Sequence, residues 1–298
     1  MIDGTILKNA IISGAKRIRN NTEEVDSLNV FPVPDGDTGT NLSLTMNGCA
    51  DAIASISEVH AGTMADKIAA ALFRSARGNS GVIFSLMFKG FADTVRKFEK
   101  IDARTLADGL ENACNEAYSS IEKPTEGTIL TVIRLASAKA KSAAESGKSA
   151  EETFAAALCG AKASLKSTPN LLPTLKKHGV VDAGGQGLVY IMEGMLGSAE
   201  IHQPKSAAKT KKSSYDETEI RFAYCTEFLI NNAENNDISA LRKFFSDIGD
   251  CTAVAEHSGI IKVHLHTNSP DKALKKGIEI GELTNIKIDN MKYQASSL

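Results

Sequence analysis

The chain carries Asp35-Gly36-Asp37-Thr38-Gly39-Thr40-Asn41, a glycine-bearing loop with two carboxylates one residue apart, directly before a helical run at 42–46. The glycines allow the backbone to turn sharply and to approach a ligand closely. A helix that begins near Thr40 would point its free N–H groups and the positive end of its dipole back into the loop. Closely spaced carboxylates suit Mg²⁺, which usually binds to one or two carboxylates and to substrate phosphates. The stretch therefore predicts a phosphoryl-transfer site at the start of a helix.

Three further loops share this combination of glycine and polar side chains just before a helical segment. They are Arg77-Gly78-Asn79-Ser80-Gly81, Glu126-Gly127-Thr128 and Asp182-Ala183-Gly184-Gly185-Gln186-Gly187. Each of the four loops also has an ordinary interpretation as a turn and a helix cap, because these residue types are favoured there. None of them matches a P-loop, and no strand precedes the first one as a Rossmann fold requires. Nucleotide binding, if it occurs, is expected on a helical scaffold.

Apolar side chains recur at helical spacing through most of the first two hundred residues. The segments with this pattern are 4–20, 41–56, 63–73, 80–98, 103–119, 128–146, 150–166 and 186–199. Eight long helices predict an all-α bundle or helical barrel, with the glycine loops at one end. We expect this helical domain to cover residues 1–201.

The composition changes after the last of these helices. Residues 202–218 are rich in Lys and Ser and lack an apolar period, which is typical of an exposed linker. From 219 to 298 the pattern predicts strands at 220–230, 251–256, 259–267 and 285–289, and helices at 236–247 and 270–282. The order strand, helix, strand, strand, helix, strand is that of a small α+β domain of the ferredoxin-like kind.

Composition limits the classes of function. The formal net charge of −2 gives no basic footprint for a nucleic acid. No apolar run approaches the length of a membrane span, and the N-terminus lacks the pattern of a signal peptide. The five cysteines are odd in number and show no framework spacing, which is typical of reduced thiols. We therefore expect a cytoplasmic protein without integral membrane contact.

The four loops together resemble a known family. The run Leu28-Asn29-Val30-Phe31-Pro32-Val33-Pro34, leading into the Asp35 loop, is similar to the nucleotide-binding domain of the dihydroxyacetone-kinase L (DAK2) family. The runs 77–83, 126–128 and 181–185 match further blocks of that family in the same order. Within it, the chain most resembles the ATP-binding component (FakA) of bacterial fatty acid kinases. The resemblance implies a barrel of eight antiparallel helices that holds ATP or ADP at one end through two Mg²⁺ ions.

The resemblance also implies roles for individual residues. Asp35 and Asp37 would ligate Mg²⁺ and serve catalysis. The residues expected along the nucleotide are Thr38, Gly39, Thr40, Asn41, Asn79, Ser80, Gly81, Thr128, Asp182 and Gly184. The chain departs from the dihydroxyacetone kinases at two positions: Val30 and Asn29 stand where those proteins have a third metal-binding Asp, and Thr38 stands where they have a His. Asn29 is a candidate for the missing oxygen ligand.

A second candidate metal site lies in the α+β domain. Val263-His264-Leu265-His266-Thr267 would place both imidazoles on one face of a strand, and Cys225 lies in the first strand of the same domain. Cys and His ligands suit Zn²⁺, although a solvated His pair and a small core Cys are the ordinary alternatives. Similar middle domains in the FakA-type proteins carry a zinc site of this composition, so the resemblance implies Zn²⁺ at Cys225, His264 and His266. It also makes His264 a candidate catalytic residue.

The resemblance implies one function, and two others stay open. The implied reaction transfers the ATP γ-phosphate to the carboxylate of a fatty acid presented by a DegV-type carrier protein, giving an acyl phosphate for phospholipid metabolism. A small-polyol kinase of the dihydroxyacetone type and a non-catalytic nucleotide-binding module are the alternatives. Family members continue into a further C-terminal domain where this chain stops at Leu298, so we expect a shortened form. The family also suggests a homodimer.

Overall fold

The first part of the chain forms ten helices within the described residues of a computed structural model, which cover 1–121, 123–197, 220–233 and 236–296. The predicted linker at 202–218 lies outside the described residues. The helices are α1 (Gly4–Arg19), α2 (Thr22–Ser27), α3 (Thr38–Ile53), α4 (Ala61–Ser75), α5 (Gly78–Val95), α6 (Ala103–Ser119), α7 (Ile129–Glu145), α8 (Ala150–Leu171), α9 (Pro173–His178) and α10 (Ala183–Leu196).

Side-chain caps fix where most of the long helices begin. Asp3, Asp102 and Asp182 each accept a hydrogen bond from a backbone N–H in the first turn of α1, α6 and α10. Ser149 forms a capping box at the start of α8, in which Glu152 bonds back to the Ser149 N–H. Each cap satisfies a backbone donor that the helix itself cannot. Ser149 also ends Gly147-Lys148-Ser149, a run with the ending of a P-loop that forms only the turn before α8.

Eight of these helices close into a ring around one apolar core. Each packs against its neighbour in the order α1, α3, α4, α5, α6, α7, α8, α10, and α10 packs back on α1. At this closing contact Gly14 of α1 and Gly194 of α10 allow close approach, because a Cβ on Gly194 would lie 2.6 Å from the Ser13 carbonyl oxygen. The Arg17–Glu193 ion pair, with nitrogen and oxygen 2.7 Å apart, lies beside it. The expected eight-helix barrel is confirmed.

The two short helices α2 and α9 were not predicted, because six residues are too few to show an apolar period. Both lie between the helices of the ring and carry the chain from one of its members to the next. No helix in the described part of the chain has both the length and the apolar character needed to cross a membrane.

The second part forms a four-stranded antiparallel sheet with helices on one face. Its elements are β1 (Tyr224–Asn231), α11 (Ile238–Ile248), β2 (Gly249–His257), β3 (Ile260–Thr267), α12 (Pro270–Ile280), β4 (Glu282–Asn290) and α13 (Met291–Ser296). The strand order is β2-β3-β1-β4. Apolar residues of alternate positions, among them Phe228, Val263 and Leu265, pack against α11 and α12. The predicted ferredoxin-like order of elements is therefore present, with the additional helix α13 at its end.

The other face of the sheet packs against the helical ring. Ala253 and Ala255 of β2 join Phe73 of α4 and Val82 and Leu86 of α5 in one small apolar cluster. Next to this cluster, polar side chains of β1 and β3 reach the loop between α4 and α5. The sheet face that carries Cys225, His264 and His266 is therefore covered by the end of the ring that holds the glycine loops.

Candidate functional site

Four loops meet at one end of the ring because its helices alternate in direction. The helices α3, α5, α7 and α10 occupy every second place in the ring, so their N-termini lie at the same end. The four glycine loops of the sequence directly precede these four helices. Four sets of free N–H groups and four positive dipole ends therefore converge on one region, an arrangement that favours anionic ligands.

Two adjoining cavities lie at this end. The larger encloses about 520 Å³ and is bounded by the ring on one side and by residues 246–253 of the sheet domain on the other. Of the residues predicted to line a nucleotide, it contacts Thr38, Asn79, Ser80, Thr128, Asp182 and Gly184. The smaller encloses about 40 Å³ and lies between the first loop and the sheet. Thr38, Asn79 and Ser80 line both, so the two cavities share a wall.

The first loop holds its two carboxylates against each other at the smaller cavity. The side chain of the buried Asn29 donates to Asp35 Oδ1 over 2.5 Å and accepts from the Thr38 hydroxyl over 2.9 Å. Burial, and then the negative charge of Asp37, raise the pKa of Asp35 well above its usual range. Burial also raises the pKa of Asp37. Two buried carboxylates need a compensating charge, and a divalent cation bound by both oxygens supplies it.

Asn29 has a different position from a metal ligand. Its amide nitrogen is bonded to Asp35 and its carbonyl oxygen already accepts from Thr38, so it serves to hold Asp35 in place. Whether it also supplies an oxygen to Mg²⁺ stays a prediction.

Three residues predicted to lie along the nucleotide face away from both cavities. The α3 helix begins at Thr38 rather than near Thr40, and this turns the exposed Thr40 toward α2, where its N–H and hydroxyl bond to Asp26. Gly39 packs closely on α2, since a Cβ there would lie 2.3 Å from the Thr22 carbonyl oxygen. Gly81 packs closely on Thr45 of α3.

The loop before α5 depends on a glycine. Gly78 has a φ of +56°, in the left-handed region that favours glycine, and a Cβ there would lie 2.2 Å from the Asn41 side-chain nitrogen. Asn41, which also lines the smaller cavity, therefore packs directly beneath the backbone that carries Asn79 and Ser80.

The loop before α7 is held by an ionic network that the sequence did not reveal. Glu126 accepts from Arg134 over 2.8 Å, from Tyr118 over 2.7 Å and from Thr131 over 2.6 Å. Burial opposes the charge of Glu126, but these bonds outweigh it and lower its pKa to about 2. Thr128 then caps α7 by accepting from the Leu130 N–H.

Asp182 lies at the start of α10, buried against the larger cavity. Its carboxylate accepts from the Gly185 N–H over 2.7 Å. Burial raises its pKa to about 7, although hydrogen bonds from Gly185 and Ile129 act in the opposite direction. A carboxyl group near half-ionisation at neutral pH is therefore poised beside the larger cavity, where its charge can respond to a bound cation or phosphate.

The Asp182→Asn variant is expected to weaken the pH dependence of stability. The folded-state pKa of about 7 lies above the ordinary value of 3.8, so the folded chain binds this proton more tightly than the unfolded chain does. Its stabilising contribution is present at low pH and is lost as the pH rises from about 4 to about 7. Between pH 5 and 7.5, without metal or nucleotide, the wild type should lose on the order of 2 kcal/mol more unfolding free energy than the variant. Denaturant unfolding at both pH values measures this, and equal losses would contradict it.

The predicted Cys/His set comes together on the sheet. In the pairing of β1 with β3, Cys225 lies opposite His266 and Glu227 opposite His264. One ligand atom from each of Cys225, His264 and His266 lies within 4.8 Å of the other two. Asp250, Cys251 and His266 form a second, overlapping set by the same measure.

The first set fits a zinc ion. His264 Nδ1 is 2.9 Å from Glu227 Oε1, while His264 Nε2 is buried without a hydrogen-bond partner. Burial, and then the charge of His264, lower the pKa of His266 to about 3, so that its imidazole is neutral as a metal ligand must be. Burial and the charges of Glu227 and Asp37 raise the pKa of Cys225, which a bound Zn²⁺ would offset. The unpaired nitrogen and the N/S donor set both suit Zn²⁺.

Both candidate metal sites border the same small cavity. Asp35 and Asp37 line it from the ring, and Cys225, His264 and His266 line it from the sheet. The sequence predicted the two sets separately but gave no sign that they face each other. Lys287 of β4 lies close enough for its charge to lower the pKa of Asp37, and it was not identified from the sequence either.

The chain matches two protein families in succession. Residues 32–197 match the family described as DAK2 domain, and residues 221–298 match the FakA-like middle domain of fatty acid kinase. An uncharacterized protein of Staphylococcus saprophyticus is 39% identical over 308 residues, which cover 98% of this chain and 56% of that protein. One of Staphylococcus haemolyticus is 36% identical with the same coverage. The chain thus spans little more than half the length of these relatives.

The fold resembles that of a solved kinase. The crystal structure of dihydroxyacetone kinase from C. freundii, in complex with AMP-PNP and Mg²⁺, superposes with a TM-score of 0.50 and 17% sequence identity. The similarity covers 65% of this chain and 34% of that protein.

Proposed function

Because the chain belongs to the DAK2 domain family and its DAK2 domain is followed by a FakA-like middle domain, we propose that it is the ATP-dependent component of a kinase. The observation that carries the proposal is the pairing of two cavities with complementary chemistry. The larger is lined by helix N-termini and hydroxyls suited to a nucleotide, and the smaller brings Asp35 and Asp37 to its edge. A nucleotide in the larger cavity would present its terminal phosphate toward these carboxylates.

Magnesium is required by the charge of the site. Asp35 and Asp37 repel a phosphate as well as each other, so an anionic nucleotide binds beside them only when cations neutralise the charge. Mg²⁺ would supply this neutralisation and would bridge the carboxylates to the phosphate oxygens. The solved kinase with a similar fold contains AMP-PNP and Mg²⁺, which supports the same pair of ligands here.

The site's own residues would act by binding and orientation. Thr38, Asn79 and Ser80 stand in the wall between the cavities, where their backbone N–H groups and side chains can hold the phosphate oxygens. Phosphoryl transfer depends mainly on positioning and on charge stabilisation, which these groups provide.

The proposed acceptor is the carboxylate of a fatty acid presented by a DegV-type carrier protein. A carboxylate is ionised at neutral pH and needs no general base, and no His or Glu in the described residues of the larger cavity wall is placed to act as one. Zn²⁺ held by Cys225, His264 and His266 would offer a Lewis acid beside the path of the acceptor. The middle domain over the smaller cavity supports this acceptor over a free small polyol, since it narrows access from solvent.

Calorimetric titration of the purified chain with ADP, with and without Mg²⁺, tests the nucleotide part of the proposal. We expect binding at micromolar to millimolar affinity that depends on Mg²⁺. Turnover of ATP with a carrier protein loaded with oleate, compared with dihydroxyacetone as acceptor, then tests the acceptor. Absence of nucleotide binding would overturn the proposal, and turnover with dihydroxyacetone alone would replace the acceptor.

A further inference from the structure

We propose that Glu227 is a positioning residue shared by the metal cluster and the nucleotide loop, so that zinc and nucleotide bind with mutual preference. The inference rests on the proposed function and extends it to the coupling between the two ligands. It is carried by the contacts of one buried carboxylate at the contact between the ring and the sheet.

Glu227 is a charged residue in the middle of a strand, with only 2% of its surface exposed. Burial of a carboxylate is costly unless hydrogen bonds or opposite charges compensate it. Its compensation comes from both domains: His264 and Lys262 on the sheet, and the loop before α5 on the ring. A residue held from both sides transmits a displacement of one side to the other.

On the sheet side, Glu227 determines which nitrogen of His264 is free. Its Oε1 lies 2.9 Å from His264 Nδ1, so a neutral imidazole carries its proton on Nδ1. The buried Nε2 is then left with a lone pair and no partner. A carboxylate on the far nitrogen of a metal-binding His fixes its tautomer and orientation and raises its basicity. Glu227 therefore prepares His264 as a metal ligand.

On the ring side, the same oxygen holds the first residue of α5. Glu227 Oε1 accepts from the Gly78 N–H over 2.5 Å. Arg77, the N-cap residue of α5, provides no side-chain cap, so Glu227 takes the place of one and brings negative charge to the positive end of the helix. The next two residues, Asn79 and Ser80, line both cavities.

A second buried side chain of the sheet holds the same loop. Lys262 of β3, which is 3% exposed, donates to the Ala76 carbonyl oxygen over 2.5 Å. Burial lowers the pKa of Lys262 to about 8, and the charge of Glu227 acts in the opposite direction. The sheet thus holds the loop at Ala76 and at Gly78, but of these two side chains only Glu227 also contacts His264.

The wild-type chain provides the first test. Nucleotide affinity is measured by calorimetry with ADP and Mg²⁺ on zinc-loaded protein and on protein treated with a zinc chelator, with circular dichroism to check the fold of both. We expect affinity to fall about fivefold or more on zinc removal, the lower end of typical coupling between two sites. By reciprocity, ADP with Mg²⁺ should raise zinc affinity by the same factor, measured by competition with a colorimetric chelator. Equal affinities in both experiments would overturn the inference.

The Glu227→Gln variant assigns the coupling to this side chain. We expect zinc affinity to fall about 10- to 100-fold, as for other hydrogen-bond partners of metal-binding His residues, and the effect of zinc on ADP affinity to disappear. Glu282→Gln, at an exposed position on β4 of the same domain, is the matched control and should keep both properties. Wild-type zinc affinity and coupling in Glu227→Gln would overturn the role of Glu227. If that variant does not fold, the wild-type comparison decides alone.

The two proposals fail in different ways. No ADP binding to the zinc-loaded wild type would overturn the kinase proposal and the coupling together. ADP binding that is independent of zinc would overturn the coupling and leave the kinase proposal intact.

Discussion

The Asp35→Asn variant is expected to lose Mg²⁺-dependent nucleotide binding while its fold becomes more stable. An amide oxygen still accepts the bond from Asn29, so the loop keeps its shape. The amide cannot ligate Mg²⁺ as a carboxylate does, and we expect affinity for ADP with Mg²⁺ to fall by more than about 100-fold, beyond the loss typical of a residue that only bonds to a metal ligand. Without metal, the variant removes the repulsion between Asp35 and Asp37 that raises the pKa of Asp35, so its unfolding free energy should rise. Calorimetry and denaturant unfolding measure the two effects.

Asp102→Asn is the matched control for this variant. Asp102 caps α6 by accepting from the Thr105 N–H over 2.8 Å, and Asn is an equally good cap. This control should keep both binding and stability. Unchanged Mg²⁺-dependent binding in Asp35→Asn would refute the proposed metal site, and a loss of both binding and stability would show that Asp35 serves the fold instead.

The Cys225→Ser variant is expected to reduce zinc content from about one ion per chain to near zero. A hydroxyl is a poor replacement for a thiolate, and the two remaining imidazoles do not complete a zinc site. The substitution is small, so the sheet pairing of Cys225 with His266 and Asp289 should persist. Metal analysis after dialysis against a weak chelator measures the zinc, and circular dichroism checks the fold.

Cys251→Ser separates the two overlapping metal sets. Cys251 belongs with Asp250 to the second set and shares only His266 with the first. If zinc is held by Cys225, His264 and His266, the Cys251 variant keeps it. Zinc retained in Cys225→Ser and lost in Cys251→Ser would move the site to the second set, beside the larger cavity.

Much of the fold followed from periodicity alone. Eight apolar periods and four glycine loops indicated a helical barrel with its loops at one end, because such segments have no other way to bury their apolar faces. The His264–His266 pair was placed on one face of a strand by the two-residue period of β structure. The short helix α2 was missed, and with it the reason for the position of Thr40, which bonds to Asp26 of that helix.

The contact between the two domains could not be predicted. Glu227 and Lys262 alternate with apolar residues along β1 and β3, a pattern that ordinarily indicates a face in contact with water. In the structure this face is buried against the ring, and the two charges bind backbone groups of the loop before α5. Alternation distinguishes the two faces of a sheet, but it does not indicate which polar face another domain will cover.

The closing contact of the ring affects how the chain can fold during synthesis. Contacts from α1 to α8 join helices that follow one another in sequence and can form early. The contact between Gly14 and Gly194 joins the two ends of the domain, and until α10 is made the core side of α1 lacks its final cover. We therefore expect the ribosome to release an open, aggregation-prone arc of helices that becomes protease-resistant only after Leu196 has emerged. The domain that carries its candidate site near residue 35 would thus acquire it about 160 residues of translation later.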